Sequence, residues 1–159
     1  MELAEVERQR LAKEWLEKAL AEYPPQTAHF LGRESDPFRN PAGHLFSQQF
    51  AAVVNELTGS MDRARLSEAL ESIVRVRAVQ ELAASQAVGF LLLLKPLAAR
   101  RFAARSEERT TVEERIDQAL LLAFDLYTQF KAKIFALQAA EGRRRVAQLE
   151  RIYQESELR

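Results

Sequence analysis

Apolar side chains recur every three to four positions along nearly the whole chain, the spacing of a helix face rather than of a strand. In segment 3–20, Leu11, Trp15 and Leu16 mark an apolar patch, while Leu3, Val6, Arg10 and Lys13 share a mixed side. This predicts an edge helix that ends before Tyr23-Pro24-Pro25, because proline lacks a backbone donor and restricts the residue before it. Thr27 to Leu31 fits a short helical turn, and Gly32 through Asn40 reads as a loop stiffened by Pro37. Asn40-Pro41 is a helix start, with a side-chain cap followed by a preset first turn. From there Leu45, Phe46, Phe50, Val53, Val54 and Leu57 form a stripe that Gly59 ends.

The next helix runs from Met61 to Gln80, with Leu66, Leu70, Ile73, Val74 and Val76 as its apolar surface. Ser85 offers a cap for a helix that is apolar almost all round from Gln86 to Leu94, the pattern of a central element. Gly89 there suits the close approach of a neighbouring helix, and Pro96 should bend the element or end its regular part. Arg100, Arg101 and Arg105 mark its exit to solvent. Thr110 and Thr111 are alternative caps, each with a glutamate three residues on. The final helical pattern reaches about Gln154, with Ile116, Leu120, Ala123, Phe124, Tyr127, Phe130, Ile134 and Leu137 as a core face. Such a span is roughly 65 Å long, against about 40 Å for a compact domain of this size. The helix therefore either breaks near Gly142 or projects. Phe135, Ala139, Gly142, Val146, Leu149 and Tyr153 alternate steps of four and three, which suits a coiled contact with another chain or a helix folded back on its own domain. The expected fold is all-α: one domain over 1–159, five or six helices, the last one long.

Composition narrows the class. The chain has 159 residues, 47% hydrophobic and 29% charged, which suits one soluble globular domain. Its 23 basic and 23 acidic side chains cancel, so a general nucleic-acid footprint is not expected. With no cysteine there is no disulfide, thiolate nucleophile or cysteine metal site, and a reducing cytoplasm is the expected location. The charged N-terminus lacks a signal-peptide apolar region. Even Ala87–Ala99 falls short of the roughly 20 residues needed to cross a bilayer.

Several charges interrupt the apolar pattern. Arg77 follows Ile73 by four positions and Leu70 by seven, so it returns to the core side; Lys95 follows Val88 by seven. Asp117 and Asp125 sit among apolar residues of the last helix. Buried charge is costly unless paired, so the expectation is an ionic network of Arg77 and Lys95 with Asp117 and Asp125. Its role is either to set helix register or to form a polar ligand pocket, in which Arg77 or Lys95 holds an anion and Tyr127 orients it. His29 and His44 lack the spacing of a metal motif, and no GxSxG, HExxH or glycine-rich phosphate loop is present. No metal or cofactor is expected. Arg143-Arg144-Arg145 reads as a solvated helix face or as a contact for an acidic partner or anionic membrane surface.

A set of short motifs carries a family resemblance. Asn40-Pro41-Ala42-Gly43, the run Ile73 to Gln80, Ser85 to Phe90, Leu94-Lys95, Ile116-Asp117 and Ala123 to Tyr127 occur in an order and spacing similar to the N-terminal domain of the RsbT co-antagonist protein RsbRD, over roughly 12–150. The resemblance implies a helical sensory or regulatory domain, and by extension a haem-free, globin-like arrangement. Full co-antagonists also carry a C-terminal STAS domain; the residues after the last helix leave no room for one, so the expectation is a stand-alone sensor or adaptor. The leading expectation is thus a non-enzymatic regulatory input or protein-interaction domain with a protein partner or a second copy of itself. A constitutive structural adaptor and a small-molecule enzyme with a polar pocket near Arg77 and Lys95 are the alternatives.

Overall fold

The computed structural model describes residues 3–32, 38–80 and 82–157. All regular structure among them is helical: α1 Glu5–Leu20, α2 Pro25–Gly32, α3 Pro41–Thr58, α4 Arg63–Ala78, α5 Ala84–Gly89, α6 Leu94–Ala99 and α7 Glu107–Glu157. The chain divides into two compact units, Met1–Tyr127 and Thr128–Arg159.

In the first unit α3 is the central partner, packing against both α1 and α4 and receiving α2. Trp15, Phe50 and Phe90 meet there, fully buried, with Trp15 4.3 Å from Phe50 and 5.6 Å from Phe90 between ring centroids. Burial of three aromatic side chains removes a large apolar area from water and dominates the local packing energy. The start of α3 follows the expected chemistry. Asn40 Oδ1 accepts from the Gly43 amide at 2.9 Å, and Asn40 Nδ2 donates to the Phe30 carbonyl, tying α2 to α3. Gly43 is required by this corner, since a Cβ there would lie 2.9 Å from the Leu31 carbonyl oxygen. Between α3 and α4, buried Glu56 accepts from the Ser60 hydroxyl and the Asp62 amide. Asp62 in turn caps α4.

The expected helix from Gln86 is two short pieces. Residues 90–93 are turns, in which the Leu91, Leu92, Leu94 and Lys95 amides each bond to the carbonyl three residues back. Pro96 accounts for the interruption: it cannot donate to the Leu92 carbonyl, and its ring crowds that turn. Pro96 itself lies in the first turn of α6, where proline is tolerated. Gly89 ends α5 and serves no close approach, because a Cβ on it would meet nothing within 4 Å. Ser85 is not the cap of α5; α5 begins earlier, and Gln86 Oε1 accepts from the Ala83 amide. Likewise α7 starts a turn before Thr110 and Thr111. The Ser106 hydroxyl accepts from the Arg109 amide, while the two threonine hydroxyls donate back into the helix. Arg101 does not exit to solvent. Its guanidinium donates to the Leu97 carbonyl and to Glu14 on α1 at 2.9 Å.

Three expected core positions are exposed: Leu45, Phe124 and Leu137. Periodicity identifies an apolar stripe but not its width or what covers it: Leu45 and Phe124 flank buried positions of their helices, whereas Leu137 lies beyond Tyr127, the last buried residue of α7. In the second unit the helix continues through Gly142 to Glu157 without a break. Its exposed apolar side chains include Phe135, Val146, Leu149, Ile152 and Tyr153.

Candidate functional site

Arg77 comes from the last turn of α4 and is 1% exposed. Its partners are not the aspartates of α7. Nε donates to the Ala87 carbonyl at 2.8 Å, and Nη2 donates to the Gln86 carbonyl at 2.7 Å and to Glu22 Oε2 at 2.9 Å. The guanidinium also lies over the rings of Tyr23 and Phe90, 4.9 and 5.0 Å from their centroids. The local winding explains this. A regular helix would direct the Leu91 amide to the Ala87 carbonyl, but that amide bonds to Val88 instead, leaving Ala87 for Arg77. The Leu94 amide likewise turns to Leu91, and the Phe90 carbonyl accepts from Trp15 Nε1 at 2.7 Å. Arg77 and Trp15 thus supply side-chain donors where the α5–α6 break withdraws backbone donors.

Two polar atoms beside this network are buried without a hydrogen-bond partner, Arg77 Nη1 and Tyr23 Oη. Burial pushes the Tyr23 phenol pKa up, with the Arg77 charge pulling the other way.

Lys95 and Asp117 form a separate pair, 2.5 Å apart, with side chains 33% and 54% exposed. It is a surface contact rather than a core network, because Lys95 extends from the outer side of α6. Asp125 is exposed, beside a groove it shares with Met61, Arg63, Leu66 and Gln118. Tyr127 is buried, and its hydroxyl lies 3.4 Å from the Leu82 carbonyl. The structure therefore brings Lys95 to Asp117 but leaves Arg77, Asp125 and Tyr127 in three different settings. An anion pocket made jointly by Arg77 and Lys95 is not formed: Arg77 is occupied by carbonyls and Glu22.

Further polar residues have roles the periodicity did not disclose. Arg115 Nη1 donates to the Leu57 and Gly59 carbonyls at the end of α3, a cation at a helix C-terminus. Glu22 and Glu56 serve as acceptors within loops and turns. Its place two residues before the helix-ending proline pair was the one sequence cue to Glu22. His29 is exposed, and His44 Nε2 contacts Gln48 at 2.9 Å. Among the described residues there is no cluster of three or more potential metal ligands and no helix long and apolar enough to cross a membrane.

In the second unit Phe135, Gly142, Arg143, Arg144, Arg145, Val146, Leu149 and Tyr153 are all exposed. Arg145 pairs with Glu141 one turn back, and Lys131 lies over the Phe135 ring. A Cβ on Gly142 would meet nothing within 4 Å.

No curated protein and no solved structure matches the chain. The family model of the RsbT co-antagonist protein rsbRD N-terminal domain does match, over residues 9–149, close to the 12–150 span of the motif resemblance. Most of each unit falls inside that match, and on it the chain belongs to the rsbRD N-terminal domain family, as a non-enzymatic regulatory domain.

Proposed function

We propose that this regulatory domain sends its signal through residues 128–157 by pairing that helix with a second copy of the chain. The observation that carries the reading is the exposed seam Phe135, Val146, Leu149 and Tyr153, in alternating steps of four and three with Ala139 and Gly142. Val146, Leu149 and Tyr153 are 55%, 67% and 64% exposed, an apolar stripe with the repeat of a two-helix interface. Numbered as a heptad with Val146 at a and Leu149 at d, Arg145 falls at g and Glu150 at e. A parallel pair sets g of one helix beside e of the next heptad on the other, so Arg145 would meet Glu150 of the partner subunit. Gly142 at a d position leaves a gap in that seam and weakens it, which suits an interface that a signal has to shift.

A haem-free, globin-like packing of the helices and a cytoplasmic location belong to the same reading, carried by the family resemblance and the absence of cysteine. Light scattering coupled to gel filtration tests the pairing. The full chain is expected as a dimer, and Leu149→Glu as a monomer of unchanged helix content. A monomeric parent chain refutes self-pairing. A dimer that no ligand or partner alters supports a constitutive adaptor instead.

A further inference from the structure

We propose that the cleft between α1, α2 and α3 binds an amphipathic anion, its head at Lys13 and its apolar body against Leu16, Leu20 and Leu31. The site would supply the input that the regulatory reading requires, and so rests on that reading for its purpose though not for its binding chemistry. The cavity measures about 640 Å³, within the range of small-molecule sites.

Its origin is visible in the sequence of α3. Gly43, Ser47 and Ala51 follow one another at four-residue steps and line the cleft. The small side chains of Ser47 and Ala51 leave room that α1 does not fill. The helices cannot close on that room, because Trp15 and Phe50 stand between them ring against ring, fully buried. The inner wall is apolar, with Leu20 and Leu31 buried.

The rim is polar and comes from the outer side of α1. Among the described lining residues Lys13 is the one cation and Glu17 the one acid. The lysine ammonium offers three donors on a flexible stem whose methylenes can lie along the apolar wall. The Ser47 hydroxyl adds a donor from the opposite helix. A carboxylate can take both donors. An anionic head on an aliphatic or aromatic body is the chemistry this cleft recognises.

The test titrates the full chain with decanoate, decan-1-ol and decyltrimethylammonium below their micelle thresholds. Heat and the fluorescence of Trp15, the only tryptophan, report binding. Saturable one-to-one binding of decanoate is expected, at least tenfold tighter than the alcohol or the ammonium. Lys13→Gln, a change at an exposed position, should bring decanoate down to the affinity of the alcohol. Ser47→Leu fills the cleft and should abolish binding of all three while helix content is kept. If that variant fails to fold, Ala51→Leu replaces it. No decanoate binding, tighter binding of the ammonium, or a preference that survives Lys13→Gln overturns the proposal. The mass of the chain with and without decanoate separates the two readings: binding without any change in assembly leaves the site standing and refutes its coupling to pairing.

Discussion

Replacing Arg77 by methionine isolates the role of the buried guanidinium. Methionine keeps most of the volume, but removes the donors to the Ala87 and Gln86 carbonyls and the cation over the Tyr23 and Phe90 rings. Each carbonyl left buried without a donor costs about 1–3 kcal/mol, so the pair together costs about 2–6 kcal/mol. Loss of the two ring contacts adds roughly 1 kcal/mol. Against this, the variant no longer buries a charge or the unpartnered Nη1, which returns about 1–3 kcal/mol. The net is a loss of about 3 kcal/mol, a large share of the 5–15 kcal/mol typical of a domain. With a urea slope of about 2 kcal/mol per molar, the midpoint should fall by roughly 1.5 M. Urea unfolding followed by Trp15 fluorescence measures it, because that indole bonds to the same break. Glu22→Gln separates the ion pair from the carbonyl contacts. Glu22 is 42% exposed, so this variant should lose under about 1 kcal/mol. An Arg77→Met midpoint within about 0.3 M of the parent, or a Glu22→Gln loss equal to it, would refute the argument that Arg77 serves mainly to satisfy broken-helix carbonyls.

Asn40→Ala should lose about 1–2 kcal/mol in the same titration, through the cap to Gly43 and the bond to Phe30. Lys95→Ala should cost less than about 1 kcal/mol, and the difference from the parent should shrink in high salt, because its pair with Asp117 is solvent-screened. Tyr23 gives a pH dependence. Its folded-state pKa lies above the ordinary tyrosine value of 10.0, so the unfolded chain ionises first. The tyrosine's contribution is therefore complete below about pH 10 and is lost as pH climbs through the folded value. Tyr23→Phe removes that alkaline dependence and an unpartnered hydroxyl, and thermal melts between about pH 8 and 11 should show a flatter decline than the parent's.

What was legible in the sequence is what local chemistry dictates. Asn40-Pro41 marks a helix start because both residues act within one turn, and Asn40 indeed caps Gly43. The burial of Arg77 followed from its spacing after Leu70 and Ile73. Its partners did not, since two are backbone carbonyls, which carry no side-chain signature, and the third lies 55 residues away in a loop. The α5–α6 break was hidden because the apolar run continues through it; only Pro96 hinted at it, and the proline acts on the turn before its own. The stripe in 128–157 was legible as a stripe, yet spacing does not say what covers it, so Leu137 reads equally as core or surface. The cleft beside α1 was unseen because an empty volume arises from what two helices jointly fail to fill.

The break between α5 and α6 also acts as a gauge on chain length. Arg77 and Trp15, arriving from α4 and α1, grip carbonyls only three residues apart, at Ala87 and Phe90. One residue inserted between Val88 and Phe90 would rotate the downstream chain by about 100° and advance it by about 1.5 Å. The two grips could not then be held together. Point substitutions within 88–93 have room to vary wherever the side chain faces outward, as Leu92 does. Insertions and deletions there do not, so among functional variants of this chain the length of that short turn should change less than its residues do.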